Sequence, residues 1–290
     1  MLGTYHTDAL LSALSDLHHI HEPDLLYVFV LNRCSDVLKA QAGTFFTLRE
    51  EIGELYPEAA KGVSLSLIRE IPFKLKNGVA GWVATNRKSV SIENAQADER
   101  FNRAVDVITG VRTRSLLCVP IVRQNKVLGV IELVNRVDGV FRAEDLQFVE
   151  ALSGQVAIAI ENCTLYEQTQ HLLAYNNSVI NSLTGGFIST DTKGVVTRCN
   201  ASACRILGIV ESDVLNKQLL YSLPQYPAFA AILDVAQKNE APTQRQEIEL
   251  QKGDGATFLI GYSTFLIRSE TRMVLGAGVI FQDLTQLRKS

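Results

Sequence analysis

Leu10, Leu14 and Leu17 recur at helical spacing, and a second helical stretch, Asp24 to Lys39, follows the helix-opening Glu22-Pro23. From Ala42 the period shortens. Gly43 to Leu48 and Leu67 to Phe73 read as strands separated by the turn-like Glu50 to Glu54, Gly78 to Ala84 as a tight entry into a short helix, and Ser89 to Ile92 as strand again. Ser115 to Val122 and Val127 to Val134 are the strongest strands, joined by the polar turn Gln124-Asn125-Lys126. The pattern predicts an antiparallel sheet with helices at its margins. From Phe141 a long helix follows, with Val149, Leu152, Val156, Ala159, Cys163, Tyr166, Gln170, Leu173, Asn177 and Ile180 spaced alternately by three and four, as in a coiled-coil seam. Between Val149 and Cys163 the same spacing suits a helix packed on its own sheet. The stretch Tyr166 to Asn177 is too polar for that, and a connecting helix paired with a second copy of the chain accounts for it. Gln170 and Asn177 would then fix the register.

A second domain begins near Asn181. Gly185-Gly186 opens a strand from Phe187 to Thr190, Asp191 to Gly194 turns the chain, Val195 to Cys199 pairs back, and Asn200 starts a helix that ends near Leu207-Gly208. Helical stretches to Asn239 precede three strands at about Gln244 to Leu250, Ala256 to Ile267 and Met273 to Phe281. The order strand, strand, helices, three strands is α+β. The expected organisation is an N-terminal helix over 1–23, a first domain over 24–141, a connecting and dimerisation helix over 142–180, and a second domain over 181–290. Each domain is expected to be a central antiparallel sheet flanked by helices.

Composition narrows the function classes. With 290 residues, 47% hydrophobic and 20% charged, the chain has apolar material for two cores of ordinary size. A formal charge of −3 supplies no basic field for a phosphate backbone, which argues against a nucleic-acid partner. The five cysteines are scattered without a CxxC, as expected of reduced core thiols in the cytosol. No window approaches the roughly 18 apolar residues of a membrane span, and no signal peptide is visible. A cytoplasmic location, no membrane insertion and an intracellular signal are therefore expected.

The segment Asp98-Glu99-Arg100-Phe101-Asn102, then Val105-Asp106, Thr109-Gly110, Arg112-Thr113 and Ser115-Leu116-Leu117-Cys118-Val119-Pro120-Ile121, closely resembles GAF domains of the cyclic-nucleotide-binding kind found in phosphodiesterases and some adenylate cyclases. The resemblance covers roughly Asp24 to Glu167. Asn135-Arg136, Phe141 and Asp145 fit the family's Asn-Lys, Phe and Asp-Glu frame, with arginine in place of lysine and Leu146 where the glutamate would stand. An arginine can still clasp Asp145. The resemblance implies that Ala80, Asp106, Thr109, Thr113 and Glu132 line a pocket for cAMP or cGMP. Read from the residues alone, Thr109 and Thr113 share a face if both are helical and could offer hydroxyls to phosphate or ribose, with Asp106 a turn earlier and Glu132 an acid inside an apolar strand. Capping and hairpin roles for the threonines, a solvent-facing position for Glu132, and a different small ligand are the alternatives.

Residues from about Asn181 to Ser290 resemble a PAS domain, on the strand pair Phe187 to Cys199, the helix from Asn200 to Leu207-Gly208, and Asp283-Leu284-Thr285, which is similar to the Asp-x-Thr exit through which PAS domains pass movement to a downstream effector. The resemblance implies such an effector beyond residue 290, a histidine kinase or nucleotide cyclase among the candidates. No histidine follows His171, so a histidine-ligated haem in this domain is not expected. Cys204 lies in the wrong element for a flavin-adduct cysteine and Cys118 lacks the adjacent histidine of a bilin site, so both are read as core. His18 and His21 are read as surface, not as a metal site. No nucleophile elbow, phosphate loop or zinc-protease motif occurs. The reading is a non-enzymatic sensory module that binds a small ligand, pairs as a homodimer through the connecting helix and relays to an effector; the alternative is a structural dimerisation and relay module whose pockets are filled by side chains.

Overall fold

The run Leu116 to Val122 is apolar at every position, which suits a strand with protein on both faces rather than one half exposed to water. It is a central strand of the first of two sheets in the computed structural model, which describes residues 4–17, 19–251 and 255–285. His18, one half of the histidine pair, lies outside the described residues. The chain divides after Gln170 into two units.

In the first unit, α1 (Thr4–Leu17) and α2 (Pro23–Leu38) lead into β1 (Ala40–Arg49), β2 (Glu54–Lys61), α3 (Leu65–Arg69), β3 (Phe73–Lys74), α4 (Gly78–Asn86), β4 (Val90–Ile92), α5 (Ala104–Thr109), β5 (Leu116–Arg123) and β6 (Lys126–Arg136). The strands form one antiparallel sheet in the order β3-β2-β1-β6-β5-β4. The β5–β6 turn carries positive φ at Gln124 (48°) and Asn125 (69°), as a tight hairpin of this hand requires. The two-residue period of the strands divides their side chains between two cores. Phe45, Leu117, Val119, Ile131 and Leu133 face α2 and the long helix α6 (Ala143–Ser182), whereas Phe46, Leu116, Cys118 and Val130 face α4.

One expectation fails here. Leu67 to Phe73 is not a strand: residues 65–69 are helical, and β3 holds only Phe73 and Lys74. The partner of β1 is instead Glu54–Lys61, which the sequence hides because Pro57 and two alanines depress its strand propensity. Burial nonetheless alternates along it, with Leu55, Pro57 and Ala59 inward, and Pro57 is accommodated where the β1 register shifts between Phe45 and Phe46.

The long helix settles the two readings of its seam. Val149, Leu152, Val156, Ala159 and Cys163 are buried in the first unit's core, so over that stretch the helix packs on its own sheet. From Thr164 to Val179 every residue is exposed, including Leu165, Leu172, Leu173, Tyr175 and Val179.

The second unit contains β7 (Gly186–Asp191), β8 (Val196–Cys199), α7 (Ala201–Leu207), α8 (Glu211–Val214), α9 (Leu219–Ser222), α10 (Pro227–Lys238), β9 (Gln246–Gln251), β10 (Thr257–Arg268) and β11 (Val274–Asp283). Its sheet is antiparallel in the order β8-β7-β11-β10-β9. Asn200 caps α7 by accepting from the N–H of Ala203 (2.8 Å), and Gly208 ends that helix in the left-handed region. Between sheet and helices the aromatic rings interlock, Phe229 edge-on to Phe281 (4.9 Å between centroids) and Tyr226 edge-on to Phe258 (5.9 Å). The Asp283 to Thr285 exit is fastened to β10, because Leu259 receives a bond from Leu284 N–H and donates its own N–H to Thr285 Oγ1.

Candidate functional site

The face of the first sheet that meets α4 also carries a cavity, because β6 places Glu132 and Val134 on the same side as Val130. Its remaining walls are the first turn of α4, the α3–β3 connection and α5 with the segment after it. Ala80, Thr109, Thr113 and Glu132 all line it; Asp106 does not, but holds one of the liners in place.

Thr109 and Thr113 do not share a helix face. Gly110, at φ 71°, ends α5 directly after Thr109, and residues 110–115 continue without regular structure. The chain then turns back on the helix. The Asp106 carboxylate accepts from the Thr113 hydroxyl (2.7 Å), the Thr113 N–H (3.0 Å) and Gln96 Nε2 (2.8 Å), and Gln96 donates also to the Thr113 carbonyl (2.9 Å). Thr109 gives its hydroxyl to Val105 O (2.7 Å) within its own helix. Gln96 escapes a motif search because its role depends on two segments that meet only after folding.

Thr113 is buried, so its hydroxyl is a structural donor as well as a cavity group. Thr113→Ala should therefore lower the unfolding free energy of the unliganded protein by about 1–2 kcal/mol, whereas Thr109→Ala should change it by less than about 0.5 kcal/mol. Urea unfolding of the two variants checks this difference, and equal losses would show that the Asp106–Thr113 contact is not holding the wall.

Glu132 does not face solvent, since both faces of this sheet are covered. It keeps some accessible surface only because it borders the cavity; protein encloses it elsewhere, and no described residue bonds to its carboxyl. Burial pushes its pKa up to about 7, from 4.5. The neighbouring Cys118, paired with Glu132 across β5 and β6, has its thiol pushed up by burial first and by that carboxyl second. Because the folded state holds the Glu132 proton more tightly than the unfolded chain, this contribution to stability is complete below about pH 4.5 and lost as pH rises through about 7. The loss amounts to about 3 kcal/mol. Glu132→Gln should flatten that part of the stability profile between pH 5 and 8 and be the more stable form at pH 8; a profile unchanged by the substitution would place the titration elsewhere.

Two clasps hold the walls. Asn135, at φ 57° and buried, accepts from Arg114 N–H (2.7 Å) and donates to Gln41 Oε1 (3.0 Å) and to Arg112 O (2.9 Å), so it pins the segment carrying Thr113 to the end of β6. Arg136 pairs with the buried Asp145, which also accepts from the Arg142 N–H at the start of α6 (2.7 Å) and lies 3.3 Å from His6 Nε2. The arginine thus makes the contact expected of it, and Phe141 is buried in the first unit's core. His6 belongs to the N-terminal helix and gave no signal in the sequence. Asp98 and Arg100 pair through two bonds (2.9 and 2.7 Å), which hold the Asp98 carboxyl below its usual range, and the Arg100 guanidinium stacks over the Trp82 ring of α4 (4.5 Å).

All five cysteines are free thiols, with Cys34, Cys118, Cys163 and Cys199 buried. Among the described residues no helix is long and apolar enough to cross a membrane, and no cluster of three or more acidic, histidine or cysteine side chains is placed to hold a metal.

This architecture is that of two sensory domains in tandem. Residues 24–160 match the family model of the GAF domain and residues 174–284 that of the PAS fold, so the chain carries a GAF domain followed by a PAS domain. It is 32% identical over 165 residues to a probable 3′,5′-cyclic phosphodiesterase, pde-5, of Caenorhabditis elegans, covering 54% of this chain and 23% of that protein. It is 38% identical over 95 residues to the dual 3′,5′-cyclic-AMP and -GMP phosphodiesterase 11 of Drosophila melanogaster, covering 32% of this chain and 6% of that one. The chain thus spans less than a quarter of the length of these curated relatives. Among solved structures, the GAF domain of a phosphoenolpyruvate-protein phosphotransferase from Coxiella burnetii superposes with a TM-score of 0.53 at 17% identity, over 57% of this chain and 99% of that one, which establishes the fold.

Proposed function

We propose that the GAF domain binds a cyclic nucleotide and that binding is relayed through α6 to the PAS domain and an effector. The observation that carries this reading is the composition of the cavity wall: the first turn of α4, with Ala80, and Glu132 of β6 both line it, together with Thr109 and Thr113. The leading N–H groups of a helix have no acceptor within it and attract an anion, and among the described residues no lysine or arginine lines the cavity to compete for that role. A carboxyl at the other wall repels an anion but accepts from a hydroxyl or amine. A ligand with one anionic end and one neutral, hydrogen-bonding end fits both, and a cyclic nucleotide is such a molecule. The relatives named as cyclic phosphodiesterases support the same ligand class.

The cavity is about 50 Å³, room for a few waters, against the roughly 300 Å³ at the lower end of ligand pockets. Binding therefore requires the cavity to widen, and a ligand that favours the open form shifts the balance between two shapes. At one hundred times the dissociation constant a ligand adds about 2.7 kcal/mol, which raises the melting temperature by about 5–10 °C. Thermal unfolding with millimolar cAMP or cGMP tests the proposal, and no shift in protein shown by mass spectrometry to be free of copurified ligand contradicts it.

Dimerisation belongs to the same proposal. Tyr166 and Leu173 of the expected seam are exposed on α6, and Leu165, Leu172 and Val179, each one position before a seam residue and recurring at heptad spacing, widen the stripe to suit a second helix. Leu172→Asp with Leu173→Asp should convert a dimer into monomers in sedimentation, and a wild-type chain that is monomeric at high concentration contradicts this pairing.

A further inference from the structure

Two cysteines with no motif between them are brought together in the PAS domain. Cys199 ends β8 and Cys204 lies in the first turns of α7, with their Sγ atoms 3.7 Å apart. Between them in the chain stands Asn200, whose side chain joins four parts of the domain: it accepts from Phe187 N–H (2.9 Å) and Ala203 N–H (2.8 Å) and donates to Ile180 O (3.1 Å) and Gly185 O (3.0 Å). Ile180 belongs to the last turns of α6, so this corner ties the end of the long helix to the sheet.

We propose that Cys199 and Cys204 form a peroxide-responsive disulfide that locks this corner. The two sulfurs need to close by about 1.7 Å to reach bonding distance, which side-chain rotation with a small shift of α7 can supply. Cys204 is the part-exposed member and Cys199 the buried one, so a hydroperoxide reaches Cys204 first. Its sulfur attacks the peroxide, the O–O bond breaks, and Cys204 becomes a sulfenic acid as the peroxide is reduced to an alcohol, or to water from hydrogen peroxide. Cys199 Sγ then attacks Cys204 Sγ, the S–S bond forms, the S–O bond breaks, and the leaving hydroxide takes the Cys199 thiol proton as water. Two thiols and one peroxide give one disulfide, one alcohol or water, and one water. The buried Cys199 thiol, held protonated by desolvation and by its neighbour, keeps the pair reduced until Cys204 is oxidised.

Trypsin cuts after Arg198 and Arg205, so both cysteines fall in one short peptide, Cys199 to Arg205. The full chain is treated with hydrogen peroxide at about one equivalent, blocked with iodoacetamide and digested. The expected peptide is about 2 Da lighter than its reduced form and takes up no label until dithiothreitol is added. Buried Cys34 and Cys118 of the GAF domain, in the same sample, should oxidise at least about tenfold more slowly. Amide exchange at Phe187 and Ala203 should slow by about tenfold on oxidation. Cys199→Ser should leave a Cys204 sulfenic acid that dimedone traps. Should that variant fail to fold, Cys204→Ser should leave Cys199 unoxidised at the same dose. A doubly labelled peptide, a sulfinic acid at Cys204 with Cys199 free, or a disulfide formed without change in exchange overturns the proposal.

Discussion

Asp145→Ala is expected to lower the unfolding free energy of the GAF domain by about 3–5 kcal/mol, the range for removing one partner of a buried ion pair. The carboxylate is almost fully buried, and its removal strands the Arg136 guanidinium, itself only 14% exposed, and the Arg142 N–H that opens α6. That N–H bond is half of a capping box, with Asp145 at the third helical position reaching back to the residue before the helix. For a unit of this size the melting temperature should fall by about 6–20 °C. The double variant Asp145→Ala, Arg136→Met should recover part of the loss, because it leaves no unpaired charge. Urea unfolding of the three proteins decides the matter, and a loss below about 1 kcal/mol for Asp145→Ala would mean that the pair behaves as a surface contact.

Asn135→Ala should cost about 3–4 kcal/mol, by two separable effects. The substitution strands the Arg114 N–H and the Arg112 carbonyl, at about 1–1.5 kcal/mol each, while the exposed Gln41 turns to water. It also leaves an alanine at φ 57°, which costs about 1 kcal/mol more. Asn135→Gly relieves only the second effect, so it should be about 1 kcal/mol more stable than the alanine variant and still well below wild type. Because Asn135 also anchors the segment that carries Thr113, ligand binding should weaken in both variants. If glycine restored wild-type stability, the side-chain bonds would be idle and backbone conformation alone would explain the residue.

The sequence by itself determined the fold class and most of the element order. Strand and helix periods are local properties, and they are unambiguous in Leu116 to Arg136 and in the helix after Phe141. Ala80, Thr109, Thr113 and Glu132, far apart in the chain, line one cavity. Local pattern failed at Glu54–Lys61, where a proline and alanines form a strand only because β1 offers a partner with a register shift at that point. It failed again at Thr113, since Gly110 breaks the helix on which the two threonines were to share a face, and Asp106 recovers the contact across the loop. Whether an acid on a strand meets water or protein depends on what covers the sheet, so the burial of Glu132 and the upward shift of its pKa were decided by α4 and its neighbours. The same holds for His6 beside Asp145, for Gln96 beneath Asp106 and for the Cys199–Cys204 contact. In each case the deciding partner is distant in the chain or set by a turn, and only tertiary packing brings the two together.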